Sequence, residues 1–128
     1  MGVGEPQGFY ERVGGLDFFG ALVDRFYAGV VSDPLLVPLY PPDDLAGARR
    51  RLTLFLAQYW GGPTTYSEER GHPRLRMRHA RYPIDPAARE AWLGHMAAAL
   101  ADAELDPADA ALLWDYLSSA AAHLQNQP

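Results

Sequence analysis

The chain has 128 residues, 48% hydrophobic and 21% charged, with a formal charge of −5; this is the make-up of one globular domain and excludes a disordered or collagen-like chain. It contains no cysteine, which excludes a disulfide framework, a thiol nucleophile, zinc–cysteine and iron–sulfur sites, and haem attached through a Cys-x-x-Cys-His motif. No apolar stretch approaches the roughly 20 residues of a membrane span, and no basic region followed by an apolar run opens the chain, so a soluble, cytoplasmic protein with no membrane partner is expected.

Proline and glycine divide the sequence into elements. Three Asp-Pro pairs, at 33–34, 85–86 and 106–107, each read as a helix start. Aspartate accepts from the free amides of a first turn, and proline lacks an amide that would be orphaned there anyway. A short helix around Gly8 to Val13 ends at Gly14-Gly15, and the next runs from about Asp17 to Val31. In it Phe19, Leu22, Val23, Phe26, Tyr27 and Val30 fall three and four apart, one apolar stripe that carries the Tyr27 phenol inward. Asp33-Pro34 opens a short helical turn through Leu35, Leu36 and Val37 that ends before Pro41-Pro42, leaving Tyr40 fixed at a corner.

Asp43-Asp44 caps a helix of about 16 residues with Leu45, Ala48, Leu52, Phe55, Leu56 and Tyr59 inward and Arg49, Arg50 and Arg51 on its flank and outer face. Gly61-Gly62-Pro63 stops it, and Thr64 to Arg70 reads as a polar loop with room for one helical turn. After Gly71, Pro73 suits a first turn and Arg74 to His79 form about two turns, with Leu75 and His79 on one face. From Pro86 the stripe is Trp92, Met96, Ala99, Leu100 and Ala103; from Pro107 it is Leu112, Leu113, Tyr116, Leu117, Ala120 and Leu124. No segment alternates with period two, so the fold is expected to be all-α, with two long antiparallel carboxy-terminal helices packed on two earlier ones.

Charge is concentrated in the middle. Between Leu45 and Tyr82 eight arginines face two acids, Glu68 and Glu69. Such a cluster is either a solvated face or a site for an anion. Nucleic acid is a poor candidate, because the whole chain is acidic and no base-stacking motif accompanies the arginines. Of the four histidines, His79 stands apart: it ends a short helix behind an apolar partner and lies among cations that favour the neutral imidazole a metal requires. It is either a structural histidine or a metal ligand. No His-x-x-x-His pair or neighbouring carboxylate completes a zinc site, so a metal held by one protein ligand points to a porphyrin, which supplies four more. His95 and His123 lie at stripe edges and read as surface or interface histidines. Tyr27, Tyr40 and Trp92 are inward aromatics that each need a hydrogen-bond partner.

With these residues in place the sequence resembles the truncated haemoglobins, specifically the group II bacterial branch, from about Gly8 to Asn126. The carrying motifs are FYERVGG at 9–15, RFY at 25–27, LYPPDDL at 39–45, QYWGGPTTYS at 58–67 and GHPRLRMRH at 71–79. The resemblance implies a two-over-two helical sandwich around noncovalent haem b, a globin domain over residues 8–126, and a poorly ordered extension at 1–7. His79 matches the proximal iron ligand. Tyr27, Tyr40 and Trp92 match the polar distal residues, Leu52, Phe55 and Leu75 the apolar contacts to haem, and Ala48 the position where larger globins carry a distal histidine. Arg51, Tyr66, His72 and Arg76 are candidates for the haem propionates.

The function so implied is binding of dioxygen, nitric oxide and carbon monoxide, serving sensing or oxygen and nitric oxide redox chemistry rather than bulk transport, with an electron donor or reductase as partner. Homo-oligomerisation stays open. Two alternatives remain at this stage: a peroxidase-like haem enzyme, and a haemless helical module that binds an acidic partner through the arginine face.

Overall fold

The computed structural model describes residues 6–128 of the chain, and side chains from residue 8 onward. Seven α-helices and no strand occur among the described residues: α1 Pro6–Val13, α2 Gly15–Val30, α3 Leu45–Tyr59, α4 Thr65–Arg70, α5 Leu75–His79, α6 Pro86–Ala101 and α7 Pro107–Leu124. The N-terminal extension expected at 1–7 falls largely outside the described residues, and α1 takes in its last two positions. α2 packs on both α3 and α6, and α6 on α7, which places two helices over two.

The core follows from the apolar stripe of α2. All six residues predicted inward, Phe19, Leu22, Val23, Phe26, Tyr27 and Val30, are buried. Between α1 and α2 the chain reverses without a loop because Gly14 and Gly15 adopt φ of 116° and 68°, a region costly for residues with a Cβ. Two of the three Asp-Pro pairs cap as expected. Asp85 accepts from the Ala88 amide at 2.8 Å and Asp106 from the Ala108 amide at 2.9 Å, each cap contributing about 1 kcal/mol.

The third pair does something tighter. Asp33 Oδ1 accepts from the Leu35 amide at 2.9 Å and its carbonyl from Leu36 and Val37, but no α-helix follows. Pro38 has no amide to extend the ladder and its ring would meet the carbonyl four residues back, so the segment winds into a 3-10 turn at Val37–Leu39 instead.

Three further expectations need correction. Asp44 sits at the N-cap position of α3 but gives its amides no side-chain bond, its carboxylate being held by Arg51 at 3.2 Å. Residues 65–70 are helical throughout, where a loop with one helical turn is expected. Burial along α3 centres on Ala48, Leu56 and Ala57, with Trp60 just beyond. Tyr59, expected inward, is 41% exposed, while Leu52 and Phe55 are half-buried. A 3.6 period finds the apolar face of a helix without saying how much of it a neighbour covers; here the stripe is wider than the surface that α2 occludes.

Candidate functional site

His79 is presented by a helix of five residues whose entry is strained. Gly71 turns with φ 74°, and Arg74, a residue with a Cβ, holds φ 46° at the N-cap of α5. The bend is tied by Arg78, which donates through Nε to the Pro73 carbonyl at 2.8 Å and through Nη2 to the Arg70 carbonyl at 3.0 Å. His79 Nδ1 lies 2.6 Å from the Leu75 carbonyl. A carbonyl can only accept, so Nδ1 carries the proton and the Nε2 lone pair is left for another atom. This is how metal-ligating histidines are oriented. Beyond His79 the chain is strapped by Asn126, whose side chain donates to the carbonyls of Tyr82 at 2.9 Å and His79 at 3.3 Å and accepts from the Ile84 amide at 2.8 Å. Nothing in the sequence singled out Asn126; its partners lie 42 to 47 residues away.

Tyr27, Tyr40 and Trp92 come from three separate elements and meet. Tyr27 is 2% exposed, with its ring edge-on to Tyr40 at 5.4 Å. Phe26 joins Trp92 at 5.1 Å. Burial pushes the Tyr27 phenol up to about 12, opposed by a side-chain interaction with Tyr40 and by the charges of Arg51 and Arg49. Burial raises the Tyr40 phenol further, with the Tyr27 group adding to it and Trp92 opposing it. The cluster thus gathers three hydrogen-bond donors, two phenols and an indole, and burial keeps both phenols protonated at neutral pH.

The segment carrying Tyr40 is clamped to α6, the helix of Trp92. His95 Nε2 lies 2.7 Å from Asp33 Oδ2, which makes His95 an interface histidine rather than a surface one. The imidazole draws the Asp33 carboxyl below its ordinary range, helped by the Leu35 amide. Gly29 makes room for the ring, since a Cβ there would collide with His95 Nδ1. Gly29→Ala should therefore cost about 1–3 kcal/mol as overpacking, read as a lower urea midpoint. In a His95→Ala background the same change should be harmless or gain the roughly 0.5–1 kcal/mol that alanine has over glycine within a helix.

The remaining candidates are placed as follows. Leu52, Phe55 and Leu75 are half-buried. Tyr66 is buried and edge-on to Phe55 at 5.5 Å. His72 is exposed, Arg51 is bound to Asp44, and Arg76 donates to the His123 carbonyl at 3.3 Å. Much of the arginine cluster is likewise engaged within the protein: Arg49 lies 3.7 Å from Asp24, and Arg50 forks onto Glu69.

Among the described residues no group of three or more His, Asp or Glu side chains could hold a metal ion. One imidazole with a free Nε2, half-buried apolar side chains and a separate cluster of polar aromatics suit a macrocycle that brings four nitrogen donors of its own, and so fit haem. The family model for bacterial-like globins matches residues 8–126. Group 2 truncated hemoglobin YjbI of Bacillus subtilis is 42% identical over 92% of this chain and 88% of its own length. The thermostable hemoglobin of Thermobifida fusca superposes with a TM-score of 0.91 at 55% identity, covering 94% of this chain and 98% of that one. The truncated oxygen-avid haemoglobin of Bacillus subtilis does so with a TM-score of 0.86 at 41% identity, covering 92% and 98%. This all-α chain therefore belongs to the bacterial-like globin family, as a group II truncated haemoglobin.

Proposed function

We propose that the protein holds haem b through His79 Nε2 and binds dioxygen tightly, with Tyr27, Tyr40 and Trp92 as the distal donors. Haem, when bound, would supply a ferrous iron able to bind dioxygen, nitric oxide or carbon monoxide, and dioxygen so bound would carry partial negative charge. His79 contributes a lone pair fixed by the Leu75 carbonyl. Leu52, Phe55 and Leu75 offer apolar surface, and Arg51, Tyr66, His72 and Arg76 are the groups proposed near the propionates. The observation that carries the reading is the buried cluster of donors. Tyr27 is 2% exposed, its ring lies against Tyr40, and burial keeps its phenol protonated far above neutral pH, so it can donate to a ligand that carries negative charge. Ala48 in α3 is small, which leaves the distal donation to the three aromatics.

Tight binding suits sensing, or redox chemistry on oxygen and nitric oxide fed by an electron donor, better than bulk delivery. The oxygen-avid relative from Bacillus subtilis supports this direction. A haemless module using arginines for an acidic partner is disfavoured because Asp24, Asp44 and Glu69 already occupy Arg49, Arg51 and Arg50.

The test is the rate of oxygen release from the ferrous protein as a function of pH. Because the Tyr27 phenol is raised from 10.0 to about 12, it stays a donor below that value. Release should be slow and flat from neutral pH to about 10, then accelerate as the phenol loses its proton near 12. A folded protein that takes up no added haem would overturn the reading.

A further inference from the structure

Aromatic side chains that ligand binding leaves unused gather at the carboxy-terminal end of α3. Tyr59 stacks on Tyr116 of α7, with ring centroids 3.9 Å apart and planes 25° from parallel. Trp60 stands edge-on to both, at 5.2 Å and 5.9 Å. Phe55, one turn before Tyr59, lies 6.4 Å from it. A continuous run of rings thus leads from the stretch of α3 that carries Leu52 and Phe55 to the protein surface.

Three of these rings can give up an electron, and they differ in what becomes of the proton. Trp60 is 4% exposed and its indole N–H has no partner. A charge left there would sit desolvated with no acceptor for its proton, so Trp60 passes an oxidising equivalent on rather than keeping it. Tyr116 is half-buried, and burial together with Tyr59 raises its phenol above the ordinary range. Tyr59 is 41% exposed and can release its proton directly to water. The oxidising equivalent therefore comes to rest at Tyr59.

We propose that Tyr59, stacked on Tyr116, is a surface oxidation site at which a phenolic one-electron donor too bulky for the haem pocket is oxidised at the expense of hydrogen peroxide. This rests on His79 holding haem, the one-electron partner. In each turnover Tyr59 would give one electron inward, where haem, when bound, would supply the oxidising equivalent drawn from peroxide, and would give its phenolic proton to water. The resulting Tyr59 phenoxyl radical takes a hydrogen atom from the external phenol and is restored. Two turnovers supply two electrons and two protons, which convert one hydrogen peroxide to two waters and two phenols to two phenoxyl radicals.

The experiment adds hydrogen peroxide to the haem-loaded protein with a nitroso spin trap, locates the adduct by peptide mass, and records the radical by freeze-quench electron paramagnetic resonance. The parent should carry the adduct on Tyr59. Tyr59→Phe, which keeps the ring and its packing, should lose that adduct and oxidise a bulky phenol about tenfold more slowly, with the haem spectrum and oxygen release unchanged. Tyr59→Trp should restore both. An adduct confined to Tyr27 or Tyr40, or an undiminished bulky-phenol rate in Tyr59→Phe, overturns the surface site while leaving the haem reading intact. A parent without a haem spectrum overturns both.

Discussion

His79→Ala should abolish stable haem binding: the Soret band of the parent disappears, while the helical circular dichroism survives. Losing a partner that only orients a metal-bound histidine costs about 10–100-fold in affinity, and losing the ligand itself should exceed that. No replacement is at hand. Among the described residues no cluster of metal-binding side chains exists, and the other histidines are committed elsewhere or exposed: His95 to Asp33, His72 and His123 at the surface. The helices should persist because none of the fully buried large side chains belongs to α5. Added imidazole should restore the band in the variant by filling the space of the lost ring. Haem retention equal to that of the parent would mean that another group ligates, and would remove His79 from the role.

Much of this architecture is legible in the sequence because it is local. The six buried positions of α2 follow from one apolar stripe, and the caps of α6 and α7 from Asp-Pro pairs. Where the structure departs from these local signals, the deciding partner is distant or the backbone unusual. Asp33-Pro34 carries the same signal as the other two pairs, but Pro38 turns the segment into a 3-10 coil. His95 sits at a stripe edge, and only the fold brings Asp33 to it across 62 residues. Tyr59 shares the period of Leu52 and Phe55, yet its exposure depends on how far α7 reaches over α3. Arg74 at φ 46° follows no preference that sequence expresses. The arginine surplus was visible, but its pairing with Asp24 and Asp44 was not, since both acids lie outside the basic segment. The identities of the candidate residues are therefore legible in the sequence; the tautomer of His79 and the Asp33–His95 clamp are not.

Tyr27→Phe should give the largest change in ligand release of any distal substitution. A hydrogen bond to a charged acceptor contributes about 1.5–3 kcal/mol, so removing one speeds oxygen dissociation by roughly 10–150-fold. Phenylalanine keeps the ring that packs edge-on against Phe26 and Tyr40, so the loss is one of donation rather than of packing. Trp92→Phe should act in the same direction. If the Trp92 N–H serves the Tyr40 oxygen rather than the ligand, the variant leaves the Tyr27 donor in place and the acceleration is the smaller of the two. Should Trp92 instead turn to the ligand, the two single variants would match, and an unchanged rate in Trp92→Phe would remove it from the role altogether. The double variant separates these cases. Donors arranged in series share one route to the ligand, so their combined loss falls short of the product of the single effects, whereas two independent donors multiply. Carbon monoxide, which carries far less charge when bound, should be released at rates that the same substitutions barely alter.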